Sequence, residues 1–421
     1  MFYGWWIAGA AFLIALYMGG VVFYGFTAFF GPIAEELGWT YAQVALASSL
    51  RGLEAGILAP FIGLLVDRLG PRRLVFSGAI IAAAGLFLLS HSRSLVTFYG
   101  AFALMALGTS SSTGIVLMTA VANWFQRRMG TATGIAICGF GFSGLLIPAI
   151  VQLIDLYQWR TAMSILGLGA LVLVLPLSLV FRHRPEQYGY HLDGDSEDPA
   201  EVTGDQDQPE RIQLDVTALQ ALKSGTFWRI VILSLCHMIV MSSTVLHVMP
   251  YLSSIGIARS MSGLVAAAIP LSSIAGRLGM GWFGDRFDRR AVTAVAFAMI
   301  TLGTVCFGMA SFMGSWPLIP FLILFGVGYG GSNALRIALA REYFGRTNFG
   351  SVYGLAMGIS VVGGIIAPPL AGWVYDSWGS YQWVWFAFAT LPALALIPIL
   401  TLPHVTEKAD NEKQKQPARP R

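Results

Sequence analysis

Long apolar runs recur along almost the whole chain, and they constrain its fold more than any other feature. A helix that spans a bilayer needs roughly 20 consecutive apolar residues. Only 11% of the 421 residues are charged, whereas soluble domains carry about 25%. The sequence therefore predicts an all-α membrane protein with twelve transmembrane helices. The predicted spans are 4–30, 41–65, 73–91, 95–121, 128–154, 160–182, 226–252, 260–285, 290–313, 317–341, 348–374 and 380–403.

One polar segment divides the twelve apolar runs into two groups of six. It carries ten of the 22 acidic residues, and such a composition cannot bury enough apolar area to fold. We therefore predict four units along the chain. They are an N-terminal six-helix bundle at 1–182, a cytoplasmic polar linker at 183–225, a C-terminal six-helix bundle at 226–403 and a disordered cytoplasmic tail at 404–421.

Arginine is unevenly distributed between the loops on the two sides of the predicted membrane. Cytoplasmic loops favour Lys and Arg, so the richer side is assigned to the cytoplasm and both termini lie there. The first apolar run is too long for a signal peptide and is expected to be retained as a helix. The short linker, the expected absence of a signal peptide and the compact size favour a bacterial inner membrane. The cytoplasmic loops hold Arg68, Arg72, Arg73, Arg127, Arg128, Arg286, Arg289, Arg290, Arg341 and Arg346, and the opposite loops hold Arg93, Arg160 and Arg259.

Two short motifs recur in the second group of helices at nearly the same offset. The segment 63–73 closes the second span, and a similar segment, 281–290, closes the eighth span 218 residues later. The aromatic pair 124–125 follows the fourth span, and 343–344 follows the tenth. The repeat predicts two pseudo-symmetric bundles that hold a substrate between them near the bilayer midplane and alternate its access to the two sides.

The first of these motifs resembles the signature of the major facilitator superfamily, G-x-x-x-D-R-x-G-x-R-R. The resemblance implies that fold for essentially all twelve spans. It also implies that the motif acts as a gate on the cytoplasmic side, where Asp67 pairs with basic residues and ties helices together. The residues assigned to this gate are Gly63, Asp67, Arg68, Arg72, Gly281, Asp285 and Arg286.

A narrower resemblance is to the monocarboxylate porter and oxalate:formate antiporter branch of that superfamily. It rests on Tyr-Gly-Trp-Trp at 3–6, on the motif at 124–134 and on Arg277 in span eight. In that branch an arginine at this place binds the anion, which implies that Arg277 grips a substrate carboxylate bidentately. Ser273, one turn earlier on the same face, is expected to orient the guanidinium or the substrate.

Two departures from that branch limit what the resemblance implies. Tyr24 stands where the monocarboxylate porters have a lysine, and Ser273 stands where they have an aspartate. The chain has no lysine within any predicted span, so the proton route of the animal porters cannot be transferred. One central cation also fits a monoanion better than a dianion.

Charged residues inside a membrane are costly and are functional hypotheses by default. Arg51 and Glu54 lie at i and i+3 in span two and are expected to pair, or Glu54 carries a coupled proton. Arg336 in span ten is expected to extend to the cytoplasmic surface rather than to bind substrate.

Uncharged polar residues supply further candidates for the substrate site. Tyr329 and Asn333 share a face of span ten, and Tyr24 is similarly placed in span one. His247, near the outer end of span seven, is a further candidate for substrate binding, although packing is the more ordinary role for it and for His237. Hydrogen bonding between helices is the alternative role for the tyrosines and Asn333.

The leading functional prediction is secondary transport of a small monocarboxylate such as lactate or pyruvate, with a proton, by a functional monomer. The alternatives are an exchanger of organic anions such as oxalate and formate, a facilitator exporter of other small solutes, and a non-transporting membrane sensor. The sequence holds no phosphate loop, zinc-ligand spacing or Ser/His/Asp set, so an enzyme is not predicted. No cofactor, metal or nucleic acid is expected, and the partners are the organic anion, the proton and the lipid bilayer.

Overall fold

The architecture is helical throughout the described part of this computed structural model, which comprises residues 2–125, 128–183, 185–188, 218–344 and 349–402. No strand occurs within those residues, as the predicted fold class requires. The helices are α1 (Gly4–Met18), α2 (Phe26–Leu37), α3 (Tyr41–Leu69), α4 (Pro71–His91), α5 (Leu95–Ser112), α6 (Ile115–Ala122), α7 (Met129–Phe142), α8 (Leu146–Ser178), α9 (Ala218–Leu222), α10 (Gly225–Ser254), α11 (Arg259–Arg286), α12 (Arg289–Met313), α13 (Leu318–Phe344), α14 (Phe349–Trp378), α15 (Gln382–Leu394) and α16 (Leu396–Leu400).

Ten helical segments of the described chain are long and apolar enough to cross a membrane. One of them, Thr131–Ser178, has 48 residues, about twice the length that a single span needs. Its backbone is interrupted at Gln158, where φ is 64°. The count becomes twelve if this segment is divided at Gln158 and if the 29-residue α3 is also counted as a span. Because it depends on these two choices, the count of twelve stays a prediction.

Each half of the chain packs its own helices together. In the N-terminal half α4 packs against α5 and α8, and α1 packs against α7. In the C-terminal half α13 packs against α11 and α12, and α10 packs against α14. Corresponding helices of the two halves begin 218 residues apart. α3 begins at Tyr41 and α11 at Arg259, and α4 begins at Pro71 and α12 at Arg289. These starts agree with the sequence repeat, and the division into two bundles stays a prediction.

Glycines bring α11 and α13 into backbone contact at the centre of the C-terminal half. A Cβ at Gly276 would collide with the Val327 carbonyl, and one at Gly330 would collide with the Ser273 carbonyl. Small residues permit such close approach between membrane helices. The contact places Arg277 of α11 beside the polar face of α13.

A π-helical stretch, Gly19–Tyr24, joins α1 to α2. Its wider turn is closed by the Gly25 amide, which donates to the Gly20 carbonyl at 2.8 Å. Single π turns of this kind occur frequently at functional sites. Here the stretch ends at Tyr24, a candidate substrate residue.

The predicted linker is described only in part, as the turn Pro185–Tyr188 and the short helix α9. Residues 184 and 189–217 of the linker and the predicted tail at 404–421 lie outside the described residues, so both assignments stay predictions.

Candidate substrate site

Two tyrosines from opposite halves meet at the centre of the protein. The hydroxyl oxygens of Tyr24 and Tyr329 lie 3.1 Å apart, and both side chains are buried. Tyr24 belongs to the π-helical stretch and Tyr329 to α13, so this hydrogen bond joins the two halves. Both residues are candidates for the site by sequence, and the structure brings them together.

Arg277 adjoins this tyrosine pair. Its guanidinium lies close to the Tyr24 hydroxyl, and its side chain is half-buried. Helical side chains lean toward the helix N-terminus, which on α11 directs Arg277 toward the midplane. Among the described residues, no carboxylate forms an ion pair with Arg277. A half-buried cation with free donors at the centre suits an incoming anion.

Ser273 does not meet the expectation that it orients Arg277. Its hydroxyl donates to the Pro270 carbonyl of its own helix at 2.6 Å, and the residue is fully buried. The close approach of Gly330 covers this part of α11. Ser273 therefore lies in the contact between α11 and α13, although it shares a helical face with Arg277.

The expectation that Arg336 extends to the cytoplasmic surface is wrong. Its side chain is only 2% exposed, and its Nη2 donates to Asn333 Oδ1 at 2.8 Å. Because the side chain leans toward the N-terminus of α13, it extends away from the nearer surface. Asn333, also a site candidate, is half-buried one turn from Tyr329.

His237 packs on the same polar face of α13. Its ring stacks on Tyr329 with centroids 5.6 Å apart, and Nδ1 lies 2.9 Å from the Ser332 hydroxyl. The residue is buried, which agrees with the packed role considered for it.

His247 lies in the outer part of the protein and not beside Arg277. We call the side that carries Thr40 and Gly379 the outer side. Nδ1 of His247 lies 2.9 Å from the Tyr381 hydroxyl, and Nε2 lies 2.9 Å from the Pro368 carbonyl. Both ring nitrogens are thus engaged in a fully buried side chain, so substrate binding by His247 is not supported in this conformation.

Arg51 and Glu54 do not form the expected ion pair in this structure. The Nη1 atom of Arg51 donates instead to the Val22 carbonyl, and its guanidinium lies 4.5 Å from the Phe23 ring centroid. Both partners belong to the π-helical stretch that ends at Tyr24. Arg51 therefore supports the backbone that carries Tyr24, and Glu54 remains half-buried nearby on α3.

Polar contacts close the outer side between the halves. The Thr27 hydroxyl donates to the Leu246 carbonyl at 2.9 Å. Arg259 donates to the Ala28 carbonyl at 2.8 Å and pairs with Asp155 at 2.9 Å. Between described residues, no hydrogen bond or ion pair joins the halves on the opposite, inner side. The conformation is closed on the outer side.

Asp376 of α14 makes a contact of the outer side that the sequence does not predict. Its two carboxylate oxygens accept from the backbone amides of Tyr41 and Ala42, at 3.0 and 2.9 Å. These amides begin α3, where a helix favours a negative charge. An acidic residue at the outer end of an otherwise apolar span was the available signal, but a partner in the other half cannot be read from sequence.

The predicted gate motif lies on the inner side. Its second copy acts within the C-terminal half, where Arg289 pairs with Asp285 at 3.5 Å and with Glu342 at 3.2 Å. The Arg286 guanidinium lies 3.7 Å from the Trp282 ring centroid. In the first copy Arg68 and Arg72 are exposed, and the side chain of Asp67 lies outside the described part. A Cβ at Gly63 would meet no atom of the described residues within 4 Å. A Cβ at Gly281, the glycine of the second copy, would likewise meet no described atom within 4 Å. The gate role of both copies stays a prediction.

Comparison with known proteins places this geometry in a family. The model of the Major Facilitator Superfamily matches residues 7–276 and 231–421. Monocarboxylate transporter 12 of Rattus norvegicus is 25% identical over 405 residues, which cover 90% of this chain and 81% of that protein. Monocarboxylate transporter 13 of Rattus norvegicus is 26% identical, with 96% and 89% covered.

Two solved structures share the fold at low sequence identity. The nucleoside transporter NupG superposes with a TM-score of 0.75 at 15% identity, over 95% of this chain and 98% of that one. A bacterial homolog to the human lysosomal transporter Spinster gives a TM-score of 0.70 at 13% identity, with 94% of each chain covered. At such identities the likeness concerns the fold alone.

Proposed function

Because the chain belongs to the Major Facilitator Superfamily, we propose that it is a secondary transporter that moves a small monocarboxylate, together with a proton, by alternating access. Membership makes it an integral, multi-pass membrane transporter related at low identity to the monocarboxylate transporters, and not an enzyme. We propose the substrate, the coupling ion and the location in a bacterial inner membrane.

The observation that carries the substrate class is the placement of Arg277. Its half-buried guanidinium meets Tyr24 of the other half, and no described carboxylate neutralises it. An arginine has five N–H donors, so a carboxylate can bind while the contact with Tyr24 persists. One such cation matches a monoanion, and the names of the relatives support that class.

The mechanism follows from the contacts between the halves. The anion enters from the inner side, where no described polar contact closes the path, and its carboxylate neutralises Arg277. Neutralisation lowers the cost of enclosing the charge, so the halves rock about the Tyr24–Tyr329 contact and open the outer side. Glu54, half-buried on α3, is our candidate for the coupled proton.

Uptake of radiolabelled lactate into proteoliposomes tests the proposal, with and without an inward proton gradient. We expect uptake that the gradient stimulates in the unaltered protein and that Arg277→Ala abolishes. Arg93→Ala removes an exposed arginine of the outer side and is the matched control. Size-exclusion profiles of the three proteins report folding and the expected monomer.

Two outcomes would contradict the proposal. If Arg277→Ala transports lactate normally, the arginine is not the carboxylate site. If the folded, unaltered protein moves no lactate, pyruvate or other monocarboxylate, the substrate class is wrong, and exchange of oxalate and formate tests the alternative of an anion exchanger.

A further inference from the structure

Arg336 is a buried cation for which the proposed mechanism has no use. Its Nε donates to the Ser332 carbonyl at 3.2 Å and its Nη2 to Asn333 Oδ1. Its Nη1 is buried without a hydrogen-bond partner. Within the described chain no carboxylate forms an ion pair with it. A buried, uncompensated charge costs several kcal/mol in a membrane protein and indicates a function.

The contact with Asn333 fixes the orientation of that amide. A guanidinium has donors only, so it must face the amide oxygen, and the amide nitrogen is then directed elsewhere. The Asn333 Nδ2 atom forms no hydrogen bond with a described residue, and it is not buried from solvent. Because Asn333 is half-buried, its NH₂ group is available to a ligand.

This NH₂ group lies at the level of Arg277. The glycine before Arg277, Gly276, packs against the Gly331 amide. Asn333 follows Gly331 by two residues, or about 3 Å along the helix axis. The guanidinium of Arg277 and the amide of Asn333 thus approach the centre from neighbouring helices, and both offer donors.

We propose that Arg336 is a positioning residue that holds the Asn333 amide so that Asn333 and Arg277 bind one carboxylate together. Its unneutralised charge makes the site select an ionised carboxylate over a neutral amide or ester of the same shape. The inference rests on the proposed function of the Arg277 site, and it adds the residues that determine specificity.

A double-mutant cycle on transport separates positioning from an independent role. Asn333→Leu removes a hydrogen bond to a charged group, which we expect to raise KM about tenfold. Arg336→Gln should raise KM further, because the amide loses its fixed orientation and the site loses a charge. If Arg336 acts through Asn333 as well as by its charge, Arg336→Gln raises KM by a smaller factor in the Asn333→Leu protein than in the unaltered protein. Multiplied effects would overturn the proposal.

Two further measurements separate positioning from a structural role. Arg336→Lys keeps a donor for the Asn333 oxygen and should restore most of the affinity, which a merely space-filling arginine would not predict. Inhibition by the acid and by its amide should differ strongly in the unaltered protein and much less in Arg336→Gln. If the acid is preferred over its amide by the same factor in both proteins, the effect assigned to the charge of Arg336 is contradicted.

A final measurement does not depend on the substrate. Asn333→Cys, with the three native cysteines replaced, is treated with anionic and cationic thiosulfonates of equal size. We expect the anionic reagent to react faster, and the ratio of rates to fall about tenfold when Arg336→Gln is added. An unchanged ratio of rates would overturn the proposal, and a fall in the ratio would support it. Both conclusions hold even if monocarboxylates prove not to be substrates.

Discussion

Replacing Asp376 by asparagine removes the carboxylate that holds α14 against the beginning of α3. Both carboxylate oxygens accept from backbone amides of the other half, those of Tyr41 and Ala42. The contact exists only while the outer side is closed, since opening separates α14 from α3. The substitution therefore weakens the closed state specifically and leaves each half intact.

The size of the effect follows from this geometry. A carboxylate at an exposed helix N-terminus contributes about 0.3–1 kcal/mol, and up to ~2 kcal/mol when partly buried. Asparagine keeps one acceptor oxygen, so one of the two hydrogen bonds to Tyr41 and Ala42 can persist. We expect a loss of about 1 kcal/mol from the closed state, which raises the ratio of open to closed molecules about fivefold.

Labelling of a buried cysteine measures that ratio. Ala28 is buried against Arg259 of the other half, so Ala28→Cys becomes reactive to an impermeant maleimide when the outer side opens. Asp376→Asn should label about fivefold faster, with the native cysteines replaced in all proteins. Glu35→Gln, which neutralises an exposed carboxylate of the same side, is the control. Equal rates in the two substituted proteins would refute the assigned role.

Three further substitutions test the centre of the protein. Glu54→Gln should abolish uptake driven by a proton gradient but keep exchange of labelled for unlabelled substrate; retained gradient-driven uptake would exclude Glu54 as the proton carrier. Arg51→Gln leaves the Val22 carbonyl without its buried donor, at a cost of about 1–3 kcal/mol, and should lower the melting temperature of the detergent-solubilised protein. Tyr329→Phe keeps the stacking on His237 but removes the bond between the halves, and we expect severalfold higher KM in initial-rate assays; an unchanged KM would show that the hydroxyl pair does not support the site.

Sequence patterns predicted the helices well, because each span buries an apolar run in lipid and every backbone group is satisfied within the helix. One interruption was harder to foresee. The π turn at Gly19–Tyr24 lies within continuous apolar sequence, and its position depends on packing with helices distant in the chain, whereas the break at Gln158 falls between the predicted spans 128–154 and 160–182. Glycine pairs such as that at 19–20 permit a wide turn but do not require one.

The candidate site was predicted unevenly, and the reason is the direction of side chains. Arg277, Tyr24 and Tyr329 were identified from type and depth, and the structure groups them. Arg336 was assigned to the surface because Arg341 lies only five residues farther along the span. The lean of the Cα–Cβ bond toward the helix N-terminus decides between the two directions, and α13 runs from the outer to the inner side.

The same lean explains why positive charge gathers at the centre of this protein. α11 and α13 run in the same direction, so the side chains of Arg277 and Arg336 both extend from the inner half of the membrane toward the midplane. No described carboxylate pairs with either, and Tyr24 of the other half lies beside Arg277. An anion that binds there supplies the missing charge at the contact between the halves. In the proposed mechanism, substrate binding and the rearrangement of that contact are therefore one event, which is the coupling that alternating access requires.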